Sequence, residues 1–110
     1  MLKSNIREQS ANKLSLFGIV LERIIGNTSV PLEIALMARK DINEMCSLFD
    51  KEIDTVNIKG AVKQKLKSFD SLLEIVIAGK LVSIELAKKA EKDISEIMAW
   101  LDKREYKTRA

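Results

Sequence analysis

Apolar residues recur every three or four positions along nearly the whole chain, and each run stops at a glycine, a proline or a short polar stretch. From Asn5 to about Ile25, Leu14, Phe17, Leu21 and Ile24 fall on one helical face. Asn5 followed by Glu8 has the form of a capping box, and Gly26-Asn27 supplies a left-handed stop. Pro31 belongs in a first turn, where its missing N–H needs no partner, so a second helix is expected over roughly 31–53 with the stripe Ile34, Ala38, Ile42, Met45, Phe49 and Ile53.

Asp54 to Asn57 offers capping groups for a third helix, roughly 56–78, whose stripe is Ile58, Val62, Leu66, Phe69, Leu73 and Val76. Gly79-Lys80 makes the next break. A fourth helix, roughly 82–105, carries Ala87, Ala90, Ile94, Ile97 and Leu101, and beyond it lies a frayed basic tail. Residues 72–86 are rich in β-branched side chains around Ala78-Gly79-Lys80 and admit a hairpin reading, but a lone hairpin needs further strands and none is visible. Helices of about 20 residues joined by short connections run antiparallel to their neighbours. The expected fold is therefore all-α, with residues 1–110 forming a single up-down-up-down four-helix bundle.

Composition narrows this picture without changing it. A chain of 110 residues with 46% hydrophobic and 32% charged residues is long enough and apolar enough to fold around one core. The lone Cys46 cannot form an internal bridge, and no apolar run reaches the roughly 18 residues of a membrane span, so a cytoplasmic protein is expected. Frequent Lys, Glu and Ile with no histidine also suit a heat-adapted host. Net charge is +3 and uneven: residues 1–58 hold 7 basic and 8 acidic side chains, whereas residues 59–110 hold 12 basic and 8 acidic ones.

The absence of histidine removes the Ser-His-Asp and Cys-His nucleophile systems and the Glu-x-x-His pairs of di-iron bundles. Carboxylates remain, at Asp41 and Glu44 and at Glu91, Asp93 and Glu96, but all except Asp93 point away from the apolar stripes, as a solvated face does, with helical partners such as Glu85 to Lys89 and Lys89 to Asp93. Asp50, Glu52, Asp54 and Asn57 have the alternate spacing of a calcium loop, yet Thr55 stands where glycine belongs and Ala61 where a bidentate glutamate belongs. Gly18, Gly26, Gly60 and Gly79 stand alone, so no phosphate-cradling loop exists. Neither a metal nor a cofactor is expected, and Cys46, in mid-helix, reads as a small apolar residue.

Two surface features remain. Leu16, Ile19, Val20 and Ile25 widen the apolar arc of the first helix beyond what a bundle stripe needs, unless that helix sits centrally against the other three. Leu32 and Leu36 also fall off the second stripe, while Met37, Met45 and Met98 are expected on or near core faces as gap fillers, and Trp100 reads as a boundary aromatic. The leading reading is a non-enzymatic interaction or assembly module, a homodimer or a binder of a protein partner, contacting through Leu16, Ile19, Val20 and Trp100. The second is a nucleic-acid-associated protein using Lys59, Lys63 and Lys67, stacked one turn apart, with Lys103, Arg104 and Lys107 of the tail. Asp70 and Glu74 interrupt that row, and Phe17, Phe49 and Phe69 lie in core stripes rather than beside it. A carboxylate metal protein or bundle enzyme is the third.

Overall fold

In a computed structural model the chain forms four helices, α1 (Ile6–Ile25), α2 (Leu32–Glu52), α3 (Val56–Ile77) and α4 (Ile84–Lys103). The structure describes residues 6–53 and 56–103, apart from the side chains of Glu52, Val56 and Lys103. Among the described residues there is no strand, and the hairpin reading of 72–86 gives way to a helix, a tight stop and a second helix.

The helix ends explain the connections. Backbone N–H of Thr28 donates to the Arg23 carbonyl at 2.7 Å and that of Asn27 to Ile24 at 3.1 Å, which is a Schellman cap. The left-handed residue is Asn27, at φ 60°, and not Gly26. Gly26 is instead tight against its own helix, since a Cβ there would lie 3.1 Å from the Glu22 carbonyl oxygen. At the end of α3 the same cap recurs with Gly79 at φ 76°: Lys80 N–H donates to Ile75 and Gly79 N–H to Val76. Pro31 is the N-cap of α2 rather than its first helical residue, and its carbonyl already accepts from Ile34 and Ala35. At the start of α4 the Ser83 hydroxyl accepts the Leu86 N–H at 3.1 Å, so this helix begins at Ile84, two residues later than its periodicity suggests. Of the groups expected to cap α1 and α3, Asn5 and Asp54 lie outside the described residues, and Asn57 lies inside α3.

Backbones approach at α1–α2, α2–α3, α3–α4 and α1–α4, and at no diagonal pair. The helices therefore form a closed ring in chain order, which is the expected antiparallel bundle. An inter-helix ion pair crosses every seam: Lys13 meets Asp41 and Glu44, Lys63 meets Asp50, Arg39 meets Asp70, Lys65 meets Asp93 and Glu96, and Arg7 meets Asp102. Each is worth little where exposed, but together they mark the register of neighbouring helices.

That register explains the core. Phe17 lies four residues beyond Lys13 and so comes level with residues 37–40 of α2, where Ala38 is buried. Phe69 adjoins Asp70, the partner of Arg39, and lies four residues beyond Lys65, level with 89–92 of α4, where Ala90 is buried. One layer thus alternates Phe17, Ala38, Phe69 and Ala90, and the two small residues let the rings meet across the diagonal, with centroids 4.9 Å apart and planes inclined at 54°. α1 does not sit centrally against three helices: its backbone packs on α2 and α4, and it reaches α3 through Phe17.

The Ser10 hydroxyl is enclosed in the core and has no hydrogen-bond partner among the described residues. An unsatisfied buried hydroxyl costs about 1–3 kcal/mol, so Ser10→Ala is expected to raise stability by about 1 kcal/mol. Urea unfolding monitored by circular dichroism measures this; a clear loss of stability would mean that Ser10 has a partner.

Candidate functional site

The two carboxylate clusters are the first places to look for chemistry. Asp41 and Glu44 share Lys13, and Asp93 and Glu96 share Lys65, whose Nζ lies 3.1 Å from Asp93 and 2.8 Å from Glu96. Glu44 and Glu91 stay solvent-exposed and Glu96 partly so, while Glu44 and Glu96 each also pair across a seam; Asp41 is instead largely covered, which departs from the solvated-face expectation. Hydrogen bonding from Lys13 holds the Glu44 carboxyl below its usual range, and hydrogen bonding from Lys65 does the same to Glu96. A general acid or base needs a pKa moved towards neutrality, and these two are moved away from it. Among the described residues no three His, Cys, Asp or Glu side chains converge on a point that would hold a metal ion.

Cys46 is half-buried at the α2–α3 seam, beside a shallow cleft of about 310 Å³ that Lys63 and Lys67 also line. Burial pushes its thiol up, against a smaller opposing effect of Lys63, so the thiol stays protonated and poorly nucleophilic at neutral pH.

The lysine row is only partly available. Lys67 is exposed and Lys59 half-buried, while the Lys63 ammonium pairs with Asp50 at 2.7 Å, which raises its pKa. Lys65, two residues from Lys63, is turned through about 200° to the opposite flank of α3, where it faces α4. The pairing of Asp50 with Lys63 also accounts for the first acid of the calcium-like turn. The Lys103 side chain, Arg104, Lys107 and Asp54 lie outside the described residues.

The apolar contact residues separate. Val20 is fully buried in the core and cannot contact a partner, and Leu16, one turn before it, is half-buried against the core. Ile19 is 48% exposed at the centre of the outward face of α1. Trp100 is half-buried with Lys65 Nζ 5.7 Å from its ring centroid, near the end of the bundle away from the 26–31 loop. Ile19 and Trp100 therefore do not share a surface.

Instead, the exposed large apolar side chains gather at the end formed by the 26–31 and 78–83 connections. Ile19, Leu32, Leu36, Met37, Leu81, Ile84 and Leu86 all lie within about two helical turns of those loops, Leu81 being 96% exposed. Leu32 and Leu36 were legible as residues off the second stripe. Met37 is 55% exposed, which corrects its assignment to a core face. Between the two loops lies an open cleft of about 390 Å³ lined by Ile24, Val76, Val30, Leu81 and Val82, with Lys80 its only ionisable group among the described residues. No helix of the described chain is long and apolar enough to cross a membrane. Comparison with protein-family models, curated proteins and solved structures finds no match to this chain, so its functional reading rests on its own residues.

Proposed function

We propose that this protein is a non-enzymatic helical interaction module that works through protein–protein contacts at the loop end of the bundle. The observation that carries this is the clustering of its exposed large apolar residues there, on a surface otherwise rich in charge. Scattered single apolar residues are ordinary on a protein surface, but their concentration at one end supports a contact site there. The tuning of Glu44 and Glu96 away from neutrality counts against acid–base catalysis, and the Lys63–Asp50 pair weakens the case for a nucleic-acid row. The lone cysteine with its protonated thiol suits a reducing cytoplasm.

Self-association is the simplest form of such a module, and solution mass tests it. Light scattering from micromolar to millimolar protein, at low and high salt, is expected to show mass rising above the 12.4 kDa monomer and persisting at high salt, as apolar burial requires. Ile19→Glu is expected to return the monomer while leaving the thermal melt of dilute, monomeric protein unchanged, because the residue is half-exposed on the monomer. A wild-type monomer throughout would remove self-association. Salt-sensitive binding of single-stranded nucleic acid, weakened by Lys67→Gln, would then favour the nucleic-acid alternative.

A further inference from the structure

On the outward face of α2, Glu33, Leu36, Met37 and Lys40 follow one another at i, i+3, i+4 and i+7, and all four are exposed. At 100° per residue they occupy a single arc of about 100°, so they form one short ridge. Its order is an acid, two apolar residues and a base. Read in the opposite direction, the same ridge presents a base, two apolar residues and an acid.

A ridge of that kind is complementary to itself when two copies run antiparallel. Glu33 then faces Lys40 of the second copy, Lys40 faces its Glu33, and Leu36 and Met37 each lie against their own counterparts. α1 fits the same symmetry. Lys13 lies level with 41–44 of α2, so Ile19, six residues further along α1, lies level with 35–38. A two-fold axis in the contact plane, at right angles to α2 and passing between Leu36 and Met37, produces this pairing, keeps α1 on the same side and leaves Ile19 level with its own counterpart at the flank of the contact. On α1 the same axis sets Glu22 opposite Leu16 and Arg23 opposite Ser15, so no like charges oppose one another there.

We propose that this face is occupied by a second copy of the chain, with α2 paired antiparallel to α2 about that axis. The pairing rests on the interaction reading above and gives it an occupant and a geometry. A two-fold contact is isologous: each surface must complement itself, and charge order is what distinguishes this face from a merely apolar one. The contact spans two turns of α2 with α1 at its flank, which is at the small end of interface sizes, so association is weak.

Charge reversal tests the pairing with folding left intact, because Glu33 and Lys40 are surface residues. Sedimentation velocity of the full chain over a concentration series compares wild type with Glu33→Lys, Lys40→Glu and the double variant. Each single reversal sets like charges opposite one another twice per dimer and is expected to weaken association about tenfold. The double variant restores opposite charges and is expected to return to within about threefold of wild type, with the differences shrinking at high salt. Dimerisation indifferent to all three reversals would overturn this pairing while leaving the interaction reading standing. Dimerisation weakened by the singles and weakened further by the double would overturn it too. A wild-type monomer at millimolar concentration would overturn the pairing together with self-association.

Discussion

Phe17→Ala is expected to lower the unfolding free energy by about 3–5 kcal/mol, the range for truncating a fully buried aromatic. The ring is fully enclosed, it reaches Phe69 across the bundle, and its layer-mates Ala38 and Ala90 are already too small to close over a void. The surrounding layer therefore collapses poorly, which puts the cost towards the upper part of that range. For a domain of this size the melting temperature falls by roughly 10–20 °C. Phe69→Ala is expected to cost a similar amount. Because the two rings share one contact and would leave one common cavity, the double variant should depart from additivity by about 0.5–1.5 kcal/mol. Thermal and urea unfolding of the two single variants and the double variant measure all of this. Single costs below about 1.5 kcal/mol, or strict additivity, would show that the layer is not built as described.

Lys65→Met is expected to cost about 1–2 kcal/mol at neutral pH, discounted for the solvent that reaches this seam. Methionine keeps the aliphatic stem that packs near Trp100 but leaves Asp93, with 13% of its side chain exposed, and Glu96 facing each other without a cation. The pH profile identifies the cause. Lys65 is raised above its ordinary 10.5, chiefly by hydrogen bonding to Glu96, so its contribution is complete below that value and is lost as pH rises through the higher folded pKa. Glu96 is lowered below its ordinary 4.5 by hydrogen bonding from Lys65, so its contribution is complete above that value and is lost as pH falls through the lower folded pKa. The stability gap between wild type and Lys65→Met should accordingly be flat across neutral pH and narrow in acid below 4.5. A gap unchanged down to pH 3 would mean that the loss comes from packing and not from the ion pairs.

These expectations, and the α2 pairing, draw on different amounts of sequence information. Helix existence and the identity of most core residues follow from local spacing, because side chains three and four positions apart share a face whatever lies beyond the helix. Leu14, Phe17, Leu21, Met45, Phe49, Leu66, Phe69, Ile97 and Leu101 are buried as their periodicity requires. The stop at Gly79 was legible for the same local reason: a left-handed residue suits glycine. At the first stop the left-handed position passed to Asn27, since both Gly and Asn tolerate that conformation and only the placement of the Schellman hydrogen bonds chooses between them.

The candidate surface was legible only in part. Ile19 and Val20 are equivalent in sequence terms, two apolar residues on a broad arc, yet a rotation of about 100° leaves one half-exposed and buries the other. Met37 looked like filler because methionine usually is, but it stands on the outward face of α2, where no neighbouring helix covers it. Lys63 and Lys65 likewise belong to one basic segment by composition, but each is claimed by an acid on a different neighbouring helix. The sequence alone thus determined that this protein is four amphipathic helices joined by short connections, because helical periodicity and end-capping are properties of adjacent residues. Tertiary structure decided which flank of each helix a neighbour covers, since that depends on register and rotation between segments far apart in the chain, and so it decided where the exposed apolar face lies.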